Sequence, residues 1–139
     1  MSLMETSSSA IWKRRVSVVQ VIYSELIADQ DFSKLDLSDQ RDNWTDFENK
    51  IFDNYLDNKQ RYISVIESYL NADWSLERLN TLCASILLEA ISEFHVLKTP
   101  IKVLITESVK TAKNYCDENE YRIVNRVLED FLKNEAVNT

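Results

Sequence analysis

The chain of 139 residues contains no glycine and a single proline, Pro100. Tight β-hairpin turns depend on glycine because their central residues adopt positive φ angles. Phosphate-binding loops depend on it because the backbone must come close to the ligand. Glycine and proline are also the two strongest helix breakers. The composition therefore predicts an all-helical protein, and it excludes nucleotide binding through a glycine-rich loop.

Apolar residues recur at helical spacing along most of the chain and predict six amphipathic helices. We expect the first four near residues 9–28, 38–57, 59–71 and 75–95. The fifth starts at Thr99 and Pro100, where threonine suits the N-cap and proline suits the first helical position. The sixth contains residues 121–131. The fourth segment is apolar around most of its circumference, which is typical of a central helix.

The length of the chain is that of one domain. We predict a disordered start over residues 1–9, a helical domain over residues 10–135 and a short tail over residues 136–139. No apolar run reaches the roughly 20 residues of a membrane span, and the N-terminus lacks the apolar stretch of a secretory signal. We therefore expect a cytoplasmic protein without membrane contact. In that compartment Cys83 and Cys116, on apolar faces of predicted helices, should be reduced, small buried hydrophobes.

The formal net charge of −7 is unevenly distributed. Residues 24–77 carry thirteen acids and five bases, whereas residues 98–133 carry seven bases and six acids. The sequence KRR, residues 13–15, lies in the first turns of the first predicted helix, where cations oppose the helix dipole. This cluster is either a solubilising helix start or a binding site for a phosphate backbone. Trp12 beside it either packs against the fold or stacks on a nucleobase.

The residue types that usually carry catalysis are scarce in this chain. His95 is the only histidine, and we expect it at a helix end or on the surface, with no second histidine to share a metal. We interpret the many carboxylates as solvated helix faces rather than acid–base pairs. The sequence therefore predicts a protein that is not an enzyme and needs no cofactor.

Several stretches match the motifs of one known family in the same order along the chain. The first motif, in the stretch RRVSVVQVIYSEL, consists of arginines followed by Gln20 and Tyr23. A second stretch, WSLERL, precedes a central helix in which Glu93 matches a family glutamate. The family motif Val-Pro-x-x-Val-x-Ile-Asn-Glu-Ala-Val-x-x-Ala-Lys-x-Phe is similar to the stretch TPIKVLITESVKTAKNY. The motif Phe-Val-Asn-Gly-Val-Leu is similar to IVNRVL, which contains Asn125. On these residues the chain resembles the NusB family of bacterial transcription antitermination factors.

The resemblance implies an all-α fold, a single compact domain of six to seven helices arranged as two packed three-helix units. It implies binding of the boxA element in ribosomal-RNA leader transcripts together with NusE, which is also a small-subunit ribosomal protein. It further implies that the pair joins RNA polymerase and other Nus factors and suppresses termination.

The resemblance also implies roles for individual residues. The RNA contacts that it implies are Lys13, Arg14, Arg15, Asn119 and Arg122, and the NusE contacts are Tyr23, Glu118 and Asn119. Asn125 is expected to be structural. An amide among apolar residues costs about 1–3 kcal/mol unless it finds hydrogen-bond partners, so we expect it to tie the last helix to neighbouring backbone.

The chain departs from the family pattern at several positions. Arg126 and Cys116 stand where the family has glycines, Leu88 where it has an arginine and Thr106 where it has an asparagine. The lost arginine and the acidic net charge leave a second hypothesis open, a protein–protein adaptor with weakened RNA binding. A third is an enzyme subdomain, because the same fold precedes ribosomal-RNA cytosine methyltransferases. The family contains monomers and homodimers, and the sequence leaves both open.

Overall fold

A computed structural model describes the backbone of residues 3–28, 41–70 and 79–138, and the side chains of all of these except residues 3–9 and 136–138. These ranges contain five complete helices and no strand, which confirms the all-α prediction. The helices are α1 (Leu3–Ile27), α2 (Asp46–Tyr69), α3 (Thr81–Leu97), α4 (Ile101–Tyr115) and α5 (Glu118–Asn138).

Helix α3 is the centre of the fold, as its composition predicted. Every residue from Cys83 to Glu93 is buried, so the helix is covered on all sides. It contacts each of the other four helices. The hydroxyls of Ser85 and Ser92 donate to the carbonyl oxygens of Thr81 and Leu88 in the same helix, which satisfies these polar groups inside an apolar core.

The other helices form two groups around α3. Helices α1 and α2 contact each other and α3, and helices α4 and α5 contact each other and α3. The apolar core runs through both groups and includes Ile22, Phe52, Leu87, Leu104 and Phe131. Because the two groups share α3, the described residues form one continuous core.

The predicted second and third helices are one helix, α2, and the break expected near residue 58 is wrong. Phe52, Tyr55, Tyr62 and Ile66 are all buried and follow one another at helical spacing, so a single apolar stripe crosses the expected break. Asn58 satisfies its side chain by donating to the carbonyl oxygen of Asn54, one turn earlier. Residues 38–40 and 71–78, which include Trp74 of the WSLERL motif, lie outside the described residues.

Two helix boundaries also differ from the sequence-based prediction. Helix α1 begins at Leu3 rather than near residue 9. Helix α4 begins at Ile101 with Pro100 as its N-cap, and Thr99 does not cap it because its hydroxyl donates to Glu93 Oε2 at 2.8 Å. The division into segments 1–9, 10–135 and 136–139 stays a prediction.

The C-terminal end of α3 and the N-terminal end of α5 show how the chain forms turns without glycine. Helix α3 ends at Lys98, whose φ of 57° lies in the left-handed region where helices usually place glycine. This left-handed conformation costs a lysine about 1 kcal/mol, because its Cβ crowds the backbone. Before α5, Asp117 and Glu120 each accept a hydrogen bond from the other's backbone N–H, in the pattern of a capping box. No helix in the described part of the chain is long and apolar enough to cross a membrane.

Candidate functional site

Arg15 lies inside the fold. The residue is 8% exposed, and its Nε and Nη2 donate to Glu93 Oε1 and Oε2, each at 2.9 Å. Its Nη1 lies 3.9 Å from Glu107 Oε1, and its guanidinium lies 5.6 Å from the ring centre of Phe47. This bidentate pair joins α1 to α3 and occupies the Nε–Nη2 edge of the guanidinium. The RNA contact that the resemblance implies for Arg15 stays a prediction.

Two buried glutamates one turn apart on α3 complete this cluster, and their pKa values shift in opposite directions. Burial and the neighbouring charge of Glu93 raise the pKa of Glu89 well above its ordinary value, which favours its uncharged form. Burial also opposes ionisation of Glu93, but the interactions with Arg15, Glu89 and Thr99 outweigh it and lower the pKa of Glu93.

Lys13 and Arg14, unlike Arg15, are exposed; all three lie in the middle of α1. Trp12 beside them is fixed by α4, because its Nε1 donates to Thr111 Oγ1 at 3.1 Å. Lys110 Nζ lies 4.3 Å from the centre of the Trp12 ring, close enough for a cation–π contact. The packed alternative for Trp12 is therefore the one that the structure adopts.

The contact between Trp12 and α4 brings further cations to this surface. Lys110 and Lys113 are exposed on α4, and Lys113 Nζ lies 5.4 Å from the ring centre of Tyr121 on α5. We call the exposed cations Lys13, Arg14, Lys110 and Lys113, with the rings of Trp12 and Tyr121, the basic–aromatic surface. It spans α1, α4 and α5, and alternating cations and rings are typical of surfaces that bind single-stranded nucleic acids.

The residues at the start of α5 are exposed next to Tyr121. Arg122 Nη2 lies 2.7 Å from Glu118 Oε1 in a solvent-exposed pair one helical turn apart, and Asn119 is also exposed. Exposed pairs of this kind contribute little to stability and exchange readily with other partners. Glu118, Asn119 and Arg122 are therefore accessible to a ligand, next to the basic–aromatic surface.

Asn125 lies in a groove rather than in a hydrogen-bonded helix contact. Its side chain is half-buried and, among the described residues, makes no hydrogen bond. The groove has a volume of about 450 Å³ and is lined by Ile105, Thr106, Val109, Lys110, Lys113, Asn114 and Asn125. Two of the surface lysines thus border it. Asn125 makes no tie to neighbouring backbone among the described residues, and its structural role stays a prediction.

Tyr23 lines a second groove, of about 340 Å³, between α1, the start of α3 and the end of α4. The groove is bordered by Val16, Val19, Gln20, Tyr23, Asn80, Leu82, Thr111 and Tyr115. Tyr23 is 37% exposed and Tyr115 is 51% exposed, a large aromatic area for a surface. Exposed tyrosines around an apolar groove are typical of protein interfaces. We call this site the tyrosine groove.

His95 lies near the end of α3 and is half-buried, in keeping with the helix-end interpretation. Its ring stacks on Tyr62 with centroids 5.3 Å apart and an interplanar angle of 9°. Burial lowers the pKa of His95, which favours its neutral form. These contacts assign His95 to packing between α2 and α3.

Sequence reasoning missed Lys110 as a member of the basic–aromatic surface and did not separate Arg15 from its neighbours. One signal for Arg15 is present in the sequence. Arg15 precedes Val18, Val19 and Ile22 by three, four and seven residues, so it shares their apolar face. Lys110 carries no such local signal, because its role depends on the packing of α4 against Trp12.

The fold and these surfaces define an all-α protein with a candidate nucleic-acid interface beside a candidate protein interface. The chain belongs to the NusB family, whose model matches residues 13–133. This is a family of transcription antitermination proteins.

Two curated relatives match most of the chain. The transcription antitermination protein NusB of Ligilactobacillus salivarius (strain UCC118) is 32% identical over 111 residues, which are 80% of this chain and 78% of that protein. The protein of the same name from Finegoldia magna (strain ATCC 29328 / DSM 20472 / WAL 2508) is 32% identical over 126 residues, covering 86% and 90%. A solved structure of T. maritima NusB superposes with a TM-score of 0.75 at 23% identity, covering 88% of this chain and 89% of that one. That likeness supports the fold.

Proposed function

We propose that this protein is an RNA-binding transcription antitermination factor that recognises the boxA element of ribosomal-RNA leader transcripts together with NusE. Bound to RNA polymerase with other Nus factors, the pair helps the enzyme to read through terminators. Membership of the NusB family gives the antitermination role, and the RNA and partner assignments are the proposal.

The observation that carries the RNA assignment is the basic–aromatic surface. A protein with a net charge of −7 needs a local positive field to hold RNA. Here Lys110 of α4 lies over Trp12, which directly precedes the exposed Lys13 and Arg14 in α1. We assign Lys13, Arg14, Lys110 and Lys113 to phosphate contacts, with Asn119 and Arg122 at the edge of the site.

The groove beside this surface suits recognition of bases. Asn125 offers an amide that can both donate to and accept from a base edge, between apolar walls and two lysines. Single-stranded RNA is read by such contacts to unstacked bases. Arg15 has a positioning role in this proposal, because its pair with Glu93 fixes the middle of α1 against α3.

We assign the tyrosine groove to NusE. Tyr23, Gln20 and Tyr115 border it, and Glu118 and Asn119 follow closely after Tyr115 in the chain. The tyrosine groove and the basic–aromatic surface lie on the same helices, α1 and α4, but are formed by different residues. A partner in the groove and an RNA on the surface can therefore bind next to each other. NusE bound there extends the RNA-binding surface.

Two observations favour the alternative function, a protein–protein adaptor with weak RNA binding. The burial of Arg15 removes a cation from the surface, and Leu88 stands where the family resemblance expects an arginine and is itself fully buried. An adaptor would bind NusE through the tyrosine groove and show no preference for RNA sequence.

Fluorescence anisotropy of a labelled boxA-type RNA separates the two functions. The protein is titrated alone and with NusE, against a scrambled RNA of equal length. Lys13→Ala/Arg14→Ala removes two cations from the surface, and Lys50→Ala/Lys133→Ala removes two exposed lysines elsewhere as a matched control. We expect selective binding that the first variant weakens and the control keeps. NusE binding without any RNA selectivity would leave the adaptor.

A further inference from the structure

Trp12 contacts one residue from each of the two grooves. Its Nε1 donates at 3.1 Å to Oγ1 of Thr111, which borders the tyrosine groove. Its ring centre lies 4.3 Å from Nζ of Lys110, which borders the groove that contains Asn125. Lys110 and Thr111 are consecutive, and consecutive residues of a helix point about 100° apart, so they can border different grooves. Trp12 therefore touches a wall of the proposed NusE site and a wall of the proposed RNA site.

The hydroxyl of Thr111 has a partner for its hydrogen and a partner for its oxygen. It donates at 3.0 Å to the carbonyl oxygen of Glu107, one turn earlier in α4, and it accepts from Trp12. Thr111 is 4% exposed, so little water reaches it. A partner that fills the tyrosine groove excludes that water, and a buried polar group that loses a hydrogen-bond partner is costly. A filled groove therefore favours the position in which Trp12 is bound to Thr111.

The same position of Trp12 places its ring beside the cations of the basic–aromatic surface. The ring is half-buried, Lys110 lies over its face, and Lys13 and Arg14 follow it directly in α1. A lysine that is already held against a ring has less conformational freedom to lose when a phosphate binds. Fixing Trp12 therefore prepares this part of the surface for RNA.

We propose that the contact between Trp12 and Thr111 couples the two binding sites, so that NusE in the tyrosine groove raises the affinity of the basic–aromatic surface for RNA. The two states are Trp12 docked on Thr111 and Trp12 released from it. NusE favours the docked state because it covers Thr111, and RNA favours it because the docked ring holds Lys110. This inference rests on the proposed function, and it makes Trp12 and Thr111 the positioning residues that link its two ligands.

The coupling is measured as a ratio, the affinity for boxA-type RNA with saturating NusE divided by the affinity without NusE. Fluorescence anisotropy of the full-length protein gives both values. Thr111→Val removes the hydroxyl at nearly constant shape and should lower the ratio by roughly tenfold, within the usual range of coupling between sites. Thr111→Ser keeps the hydroxyl and should keep the ratio. The affinity for NusE, measured with and without RNA, should change by the same factor because coupling is reciprocal.

A double-mutant cycle tests whether the hydrogen bond itself carries the coupling. Trp12→Phe removes the indole N–H and should lower the ratio as Thr111→Val does. The double variant should lower it no further, because both substitutions remove the same interaction. Trp44→Phe is the matched control. Trp44 Nε1 donates to Ser17 Oγ of α1 at 2.7 Å, and neither residue borders either groove, so this variant should keep the ratio of the parent.

Nuclear magnetic resonance follows Trp12 without any RNA. The indole N–H signal of Trp12 in nitrogen-15-labelled protein is identified by its loss in Trp12→Phe. Its hydrogen exchange with solvent should slow when NusE binds, because the covered groove favours the docked ring. In Thr111→Val, NusE should leave this exchange rate unchanged.

The outcomes separate this inference from the proposed function. A parent protein that binds neither NusE nor boxA-type RNA would reject the proposed function and the coupling with it. If the parent binds both, but the ratio is one or is the same in the parent, Thr111→Val and Trp12→Phe, the coupling is wrong and the proposed function stands. An equal fall of the ratio in Trp44→Phe would also reject the coupling, because the loss would then reflect a general loosening of α1.

Discussion

At the scale of single residues, Arg15 and Glu93 form a buried, hydrogen-bonded ion pair that joins α1 to α3. Glu93 is fully buried and accepts hydrogen bonds from Arg15 and Thr99. Such a pair fixes one helix against another, and removing one partner leaves a buried charge without compensation. The middle of α1, which carries the exposed Lys13 and Arg14, depends on this contact for its position.

The first prediction concerns Glu93. Glu93→Gln should lower the free energy of unfolding by about 3–5 kcal/mol, because the buried Arg15 then loses its bidentate carboxylate and keeps only the longer contact to Glu107. Urea denaturation monitored by circular dichroism measures the change. The control is Glu118→Gln, which removes the exposed partner of Arg122 and should cost less than about 1 kcal/mol. Equal effects of the two substitutions would contradict the structural role of the buried pair.

The second prediction concerns Glu89 and pH. The folded protein raises the pKa of Glu89 above its unfolded value. The stability that this provides is full below the ordinary glutamate pKa of about 4.3 and is lost as the pH rises through the folded pKa. Glu89→Gln keeps the uncharged form at every pH. The variant should therefore gain stability relative to the parent as the pH rises from acidic to alkaline.

Urea unfolding of Glu89→Gln and the parent over this pH range provides the check. Glu48→Gln is the comparison. Glu48 is also buried, but it belongs to the capping box at the start of α2, and this variant should not gain stability at high pH. A Glu89→Gln variant that loses stability as the pH rises would show that Glu89 is ionised in the folded protein.

At the scale of helices, composition and periodicity were enough to predict the type of every described element. The absence of glycine removed most alternatives to helix, and the apolar character of residues 83–93 indicated the central helix. Helix ends were harder to predict. Thr99 has the right chemistry for an N-cap, yet its hydroxyl is used by Glu93 in a tertiary contact that local sequence does not encode.

The third prediction tests the continuity of α2. Asn58→Pro should lower the free energy of unfolding by roughly 3 kcal/mol, because proline removes a backbone hydrogen bond and clashes with the preceding turn of a helix interior. Asn58→Ala is the control and should have a small effect, since alanine favours the helix and only a side-chain contact to Asn54 is lost. Thermal unfolding of both variants measures the difference. Tolerance of the proline would support two separate helices here.

At the scale of the whole molecule, the exposed surfaces could be predicted only in part. The basic sequence at residues 13–15 contains two exposed cations, Lys13 and Arg14, but the long-range pair with Glu93 makes Arg15 interior. Lys110 joins the surface only because α4 packs on Trp12. Asn125 was recognised as unusual from its apolar neighbours, whereas its position in a groove follows from the packing of α4 against α5.

The fourth prediction concerns the tyrosine groove. Tyr23→Ala should weaken NusE binding by roughly tenfold or more, as is common for central tyrosines of an interface. Leu56→Ala is a matched control, because Leu56 is exposed to the same extent, 37%, on α2. Isothermal titration calorimetry with purified NusE measures both. An unchanged affinity for Tyr23→Ala would place the NusE site elsewhere.

The salt dependence of RNA binding tests the central proposal most directly, because it counts phosphate contacts. Affinity for boxA-type RNA, with NusE present, is measured across a range of salt concentrations for the parent and for Lys110→Ala/Lys113→Ala. For single strands each phosphate contact contributes about −0.7 to the slope of log affinity against log salt. The variant should lose one to two such contacts, and Lys50→Ala/Lys133→Ala should keep the slope of the parent. Equal slopes for all three proteins would contradict an RNA site on the basic–aromatic surface.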